Sequence, residues 1–128
     1  YVGIFIVIVI AAVAGLIWWT RTQANAQARY TPFAQCLTEK NAIMYGKFWC
    51  VHCKEQKELF GRAFRALKYV ECALPGNPNA TTTLCQEKQI EGVPTWIFED
   101  GSRVSGVQSL VALAEKTGCL LPSTDPQP

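Results

Sequence analysis

The hydrophobic pattern divides the chain sharply. Residues 1–19 are apolar apart from Gly3 and Gly15, and the first charged side chain is Arg21. As a helix rising about 1.5 Å per residue this run reaches about 28 Å, the depth of a bilayer core. Trp18 and Trp19, with Arg21 close behind, have the pattern of an interfacial aromatic belt and its charged flank. A transmembrane helix over 1–19, in contact with lipid, is predicted. The alternative is a cleaved signal peptide: 24–26 and 26–28 both read small-x-small, although the apolar run exceeds the usual ~7–15 residue core of such a leader. Residues 20–29 are polar and rich in Ala, Gln and Asn without apolar periodicity, and read as a linker.

Beyond the linker the period changes repeatedly, as expected of a mixed α/β domain over 30–121. Thr31 as N-cap, with Pro32 at the first position, starts a helix whose face is Phe33, Cys36 and Leu37 and which Asn41 can close. A short strand over 42–45 follows. Leu59, Phe60, Ala63, Phe64 and Leu67 predict a helix over 54–67, and a second strand covers 68–72. Residues 75–79 are a dense turn cluster, and helix character returns over 81–89. A third strand over 95–98 and a fourth from Arg103 flank Asp100-Gly101, a pair suited to a type I′ turn. A helix over 109–117 with Gly118 as its C-terminal cap completes the domain, and 122–128 reads as a disordered tail.

Charge removes one class of function. The 12 basic and 10 acidic residues give +2, and Arg21 and Arg29 account for that excess, so the domain offers no basic face for nucleic acid. By the positive-inside rule those two arginines alone would pull the domain toward the cytoplasm. Six cysteines in a chain of 128 residues point instead to an oxidising compartment or a metal site, and the exported side is the expectation taken here.

Chemistry concentrates at Cys50-Val51-His52-Cys53, which follows a predicted strand and opens a helix. Free N–H groups and the helix dipole there favour a thiolate at Cys50, and His52 lies within one turn as a potential cation or donor. Cys53 is spaced to resolve a mixed disulfide formed on Cys50, so the exchange needs no cofactor. The competing reading is half of a zinc site completed by Cys72 and Cys85. Their separation fits the common tight-pair spacings poorly, and the only His lies inside the motif, so no metal is assigned.

Phe48-Trp49-Cys50-x-x-Cys53 after a strand, with Gly92-Val93-Pro94-Thr95 before another, resembles the thioredoxin superfamily over most of 31–118. The runs at 44–50, 56–61, 69–72, 94–96 and 106–110 are similar to the thioredoxin-like domain that accompanies the membrane core of bacterial and plant vitamin K epoxide reductase homologues. The resemblance implies a thioredoxin fold, a cis Val93-Pro94 bond beside the Cys50–Cys53 pair, and a loop offering substrate a strand edge. Trp49, Val93 and Thr95 are then the expected substrate contacts. Trp96 lines the groove or packs the core, according to strand alternation. It also implies exported protein dithiols or disulfides as substrates and a quinone-linked membrane oxidoreductase as partner. Met44 occupies the position where thioredoxins carry a buried acid, and Val-His replaces Gly-Pro between the cysteines, which resembles disulfide donors and isomerases. A Cys72–Cys85 bridge is implied as well, its alternative being a second redox pair; Cys36 and Cys119 remain as a pair or as buried thiols. The basic run Lys54, Lys57, Arg62 and Arg65 reads as a solvated helix face.

Overall fold

A computed structural model describes residues 1–123, and for 24–27 it describes the backbone alone. The tail expected at 122–128 therefore lies, from 124 onward, outside the described residues. Helix α1 (Val2–Ala28) contains the apolar run, and over Val2–Gln23 it is long and apolar enough to cross a membrane, with none of that window buried against the rest of the chain. The helix does not stop where the apolar run does: 20–28, expected as a linker, continue it. Arg, Gln and Ala are good helix formers, and extending an existing helix adds a hydrogen bond for each residue fixed.

Helix α2 (Thr31–Glu39) buries Phe33, Ala34 and Leu37. Its N-cap is Tyr30 rather than Thr31, because the Tyr30 carbonyl already accepts from Ala34 N–H at 2.9 Å. Strand β1 (Ile43–Gly46) then leads through a short loop into α3 (Val51–Phe60). The single helix expected over 54–67 breaks at Gly61, whose φ of 56° is one that side-chain-bearing residues avoid, and 61–66 tighten into a 3₁₀ turn. Strand β2 (Lys68–Glu71) lies parallel to β1, with Met44 opposite Tyr69 and Gly46 opposite Glu71.

The turn cluster proves to be a small hairpin, β3 (Ala73–Leu74) and β4 (Asn77–Thr81), folded about Gly76 at φ 81°. Strands this short, with Asn and Pro in them, carry no alternation that a sequence reading can use. The five-residue helix α4 (Thr83–Glu87) follows, capped by the Thr82 hydroxyl. Strands β5 (Thr95–Ile97) and β6 (Arg103–Ser105) are antiparallel, and β5 is antiparallel to β1. Their connection is not a type I′ turn. Gly101 alone has positive φ, its N–H donates to Phe98 O at 2.9 Å, and Phe98 N–H donates to Ser102 O at 2.9 Å. That is the three-residue loop with a glycine bulge, and the Asp100 carboxylate further fastens it by accepting from Ser102 N–H. Helix α5 (Leu110–Thr117) is capped by the Ser109 hydroxyl and terminated by Gly118 at φ 75°.

The sheet order is β2-β1-β5-β6, with the first pair parallel and the others antiparallel. A βαβ unit followed by a ββα unit in this order is the thioredoxin fold. Consecutive residues of a strand face opposite sides, and here they feed two cores. Met44 and Trp96 join Phe33, Leu37, Phe60 and Leu113 in the larger; Tyr45 and Ile97 join Cys72 and Cys85 in the smaller. Phe60 packs between Phe33 and Trp96, at ring separations of 6.1 and 6.2 Å.

Two disulfides fasten the periphery. Cys36–Cys119 ties α2 to the segment after α5, and Cys72–Cys85 ties the end of β2 to α4. They close loops of very different length, with separations of 83 and 13 residues. In the chain-entropy account, removing the first as a Cys36→Ser, Cys119→Ser pair costs about 4–5 kcal/mol, and removing the second costs about 3 kcal/mol. Urea unfolding of the two double variants should rank them in that order.

Candidate active site

The site begins where β1 ends. Lys47 to Trp49 turn the chain, Cys50 N–H donates to Lys47 O at 3.1 Å, and α3 starts immediately afterwards. Cys50 is the N-cap residue, with extended backbone at φ −77° and ψ 122°, and its sulfur accepts from Cys53 N–H at 3.2 Å. The position normally held by a Ser or Asp oxygen is therefore held by a thiol sulfur. Lys54 N–H, donating to Cys50 O at 3.1 Å, closes the first turn.

Both cysteines are free thiols, whereas the other four are bridged. Cys50 is 8% exposed and Cys53 fully buried, so an incoming group meets Cys50 first. Burial, reinforced by the hydrogen bond with Cys50, pushes the Cys53 thiol up to about 12 against the backbone hydrogen bond at Lys47. The Val93-Pro94 peptide is cis, and Val93 O lies 3.6 Å from Cys50 Sγ. Pro94 is fully buried and Val93 half-buried.

The other expected site residues divide. Trp49 is half exposed, donates its indole N–H to Pro78 O at 2.7 Å, and carries the Lys47 ammonium 5.5 Å above its ring. It is thereby pinned to the β3–β4 hairpin. His52 turns away from the thiols: its exposed ring reaches Glu55 Oε2 at 3.3 Å. An i,i+3 carboxylate on the same helix face engages the imidazole. Thr95 is buried, with its hydroxyl donating to Gly92 O at 2.6 Å and lying 3.2 Å from Ser105 Oγ. It holds the loop before Pro94 from behind. Trp96 packs in the core, so of the two tryptophans only Trp49 borders the site. Cys72 and Cys85, which a zinc site would require, are joined to each other, and among the described residues no cluster of His, Cys, Asp or Glu could hold a metal ion.

Three contributors went unread in the sequence. Gln56 is fully buried; its amide donates to Gln108 O at 2.9 Å and accepts from Gln108 N–H at 2.7 Å and the Trp96 indole at 3.2 Å. Because Gly106 N–H donates to Pro94 O at 2.8 Å, the same short segment links α3 to the proline loop. The available signal was its helical spacing from Cys53 and Phe60, which places an amide on the buried face. Lys57, expected on the solvated face with Lys54, Arg62 and Arg65, instead folds its ammonium over the Tyr69 ring at 4.2 Å and the Phe64 ring at 5.3 Å. Gly46 provides the third contribution by having no side chain. A Cβ there would come within 3.2 Å of both Cys53 Sγ and Tyr69 Oη, so glycine is what lets β2 approach the thiol.

Fold and site together define a thioredoxin-fold domain with a dithiol at a helix N-terminus. The chain is 50% identical over 102 residues to the thiol-disulfide oxidoreductase LTO1 of Arabidopsis thaliana, a match covering 77% of this chain and 27% of that protein. The chain thus spans about a quarter of the length of that curated relative. Mitochondrial thioredoxin 3 of Saccharomyces cerevisiae, in its oxidized form, is 22% identical with a TM-score of 0.40, over 66% of this chain and 90% of that one. No protein-family model matches the chain.

The thiols should differ in reactivity. With its pKa pushed up to about 12, Cys53 is held as the protonated thiol at pH 8. Iodoacetamide at pH 8 should therefore modify Cys50 and spare Cys53, with Cys53 labelling increasing as the pH is raised. Mass mapping of the alkylated chain checks both.

Proposed function

We propose that this chain is the thiol–disulfide exchange module of a membrane-bound oxidoreductase. The observation carrying the proposal is the pair of free thiols at the start of α3, Cys50 slightly exposed and Cys53 fully buried, in a chain whose other four cysteines are bridged. In the donor direction, a substrate thiolate attacks Cys50 of the Cys50–Cys53 disulfide and Cys53 leaves. A second substrate thiol then displaces Cys50, so the substrate is oxidised by two electrons and the pair is reduced. In the opposite direction Cys50 attacks a substrate disulfide and Cys53 resolves the adduct. The Cys53 N–H aimed at Cys50 Sγ stabilises negative charge as it develops there in either direction.

Substrate would approach across Trp49 and the Val93–Pro94 loop, with Thr95 keeping that loop in place. Phe48 and Val51, exposed beside Cys50, extend an apolar rim suited to an unfolded or extended polypeptide. Two stable bridges support an oxidising compartment, hence a domain on the exported side with α1 as its lipid-embedded anchor. We assign the donor direction, with reoxidation by a quinone-linked membrane partner of the vitamin K epoxide reductase kind; the likeness to the plant oxidoreductase supports the exchange chemistry. Support for that direction comes from the compartment rather than from His52, which faces Glu55.

Trapping tests the exchange. With a disulfide-bonded model peptide, Cys53→Ala should accumulate close to one mixed disulfide per chain at Cys50, the wild type should hold it only transiently, and Cys50→Ala should form none. An adduct that persists equally in wild type, or that forms without Cys50, would refute the assignment.

A further inference from the structure

Resolution by Cys53 poses a proton problem, because a fully buried thiol must lose its proton before it can attack. The titratable groups facing it are Cys50 and Lys57 on α3 and Tyr69, with its partner Glu71, on β2; β1 presents Gly46. Cys50 is the sulfur under attack and Lys57 is a cation, so neither accepts the proton. Tyr69 Oη and Cys53 Sγ both lie 3.2 Å from the point where a Gly46 Cβ would stand, so they border one small space that a single bridging water would span.

Behind Tyr69 stands a carboxylate held in a fixed orientation. Tyr69 Oη donates to Glu71 Oε2 at 2.8 Å, while Glu71 Oε1 accepts from Ala73 N–H at 2.8 Å and from Phe48 N–H at 3.3 Å. One oxygen is thus committed to the backbone, including the loop that carries the dithiol, and the other to the phenol. We propose that Glu71 is the proton acceptor for Cys53 and that Tyr69 relays the proton between them. The Cys53 proton passes across that water to Tyr69 Oη as the phenol proton passes to Glu71 Oε2. The Cys53–Cys50 S–S bond forms, the bond from Cys50 to the substrate sulfur breaks, and the substrate leaves as thiolate with the electron pair. Reversed, the same path returns a proton to Cys53 when it is the leaving group. Lys57, 4.2 Å above the Tyr69 ring, adds positive charge where the thiolate appears. Burial and Glu71 hold the Tyr69 pKa well above its usual value, as suits a relay that never stands as phenolate.

The proposal rests on the exchange reading, and one experiment separates their failures. Full-length reduced chain in detergent is mixed with an aromatic disulfide whose thiolate is coloured. The first equivalent released reports attack by Cys50 and the second reports resolution by Cys53. Tyr69→Phe and Glu71→Gln should leave the first phase unchanged and slow the second by roughly 10- to 100-fold at pH 7, at or below the low end of what a positioned proton acceptor contributes. The deficit should shrink as pH rises and hydroxide takes over deprotonation. Glu71→Gln retains an oxygen for the two backbone N–H groups, so it tests the charge and not the anchor. A second phase within about twofold of wild type in both variants, a deficit independent of pH, or equal slowing of both phases would overturn the relay. Absence of a second phase in the wild type would overturn the exchange reading itself.

Discussion

One hydrogen bond organises the molecule: Cys53 N–H to Cys50 Sγ at the first turn of α3. It requires Cys50 to be an N-cap, which requires α3 to start immediately after the loop leaving β1, and it places the second sulfur one turn inward, beneath the first. The neighbouring elements hold that turn. Gly46 opens space for β2 to approach, Gln56 binds α3 to the segment before α5, and Gly106 carries that link to Pro94. The result is a slightly exposed sulfur over a fully buried one, and in the proposed exchange that asymmetry separates attack from resolution.

The bridges and the hairpin serve the same centre from farther out. Cys72–Cys85 holds α4 against the end of β2, next to the hairpin whose Pro78 carbonyl receives the Trp49 indole. Trp49 is therefore positioned from outside its own loop. Glu71 has a comparable place, with backbone donors from Phe48 on one side of the site and Ala73 on the other. Loops that carry exchange chemistry must admit a polypeptide without losing register, and side-chain-to-backbone bonds of this kind provide register without closing the surface.

Much of this was legible in the residues. The apolar run, the strand–CxxC–helix order, the ββα ending and the Gly118 cap all rest on local signals strong enough to survive packing. Boundaries failed where a local signal had two outcomes. Gly61 could sit within a helix or end it, Asp100-Gly101 could form either of two hairpin loops, and 20–28, rich in helix formers but without apolar period, could be tether or helix. The site's support was less legible because it depends on pairs far apart in sequence. Nothing local in Gln56 announces Gln108, and nothing in Gly46 announces Tyr69; parallel pairing of β1 with β2 makes the second neighbourhood. His52 differs again, since its partner in the structure, Glu55, lies on its own helix three residues on.

The most direct test of the account is a redox titration of the full chain in glutathione buffers, read by thiol alkylation and mass mapping. The account predicts a reversible two-electron transition confined to Cys50 and Cys53, with a midpoint well above the roughly −270 mV of thioredoxin, while Cys36–Cys119 and Cys72–Cys85 stay bridged throughout. A midpoint at or below that value would contradict the donor direction. Failure of the pair to titrate at all would contradict the exchange chemistry.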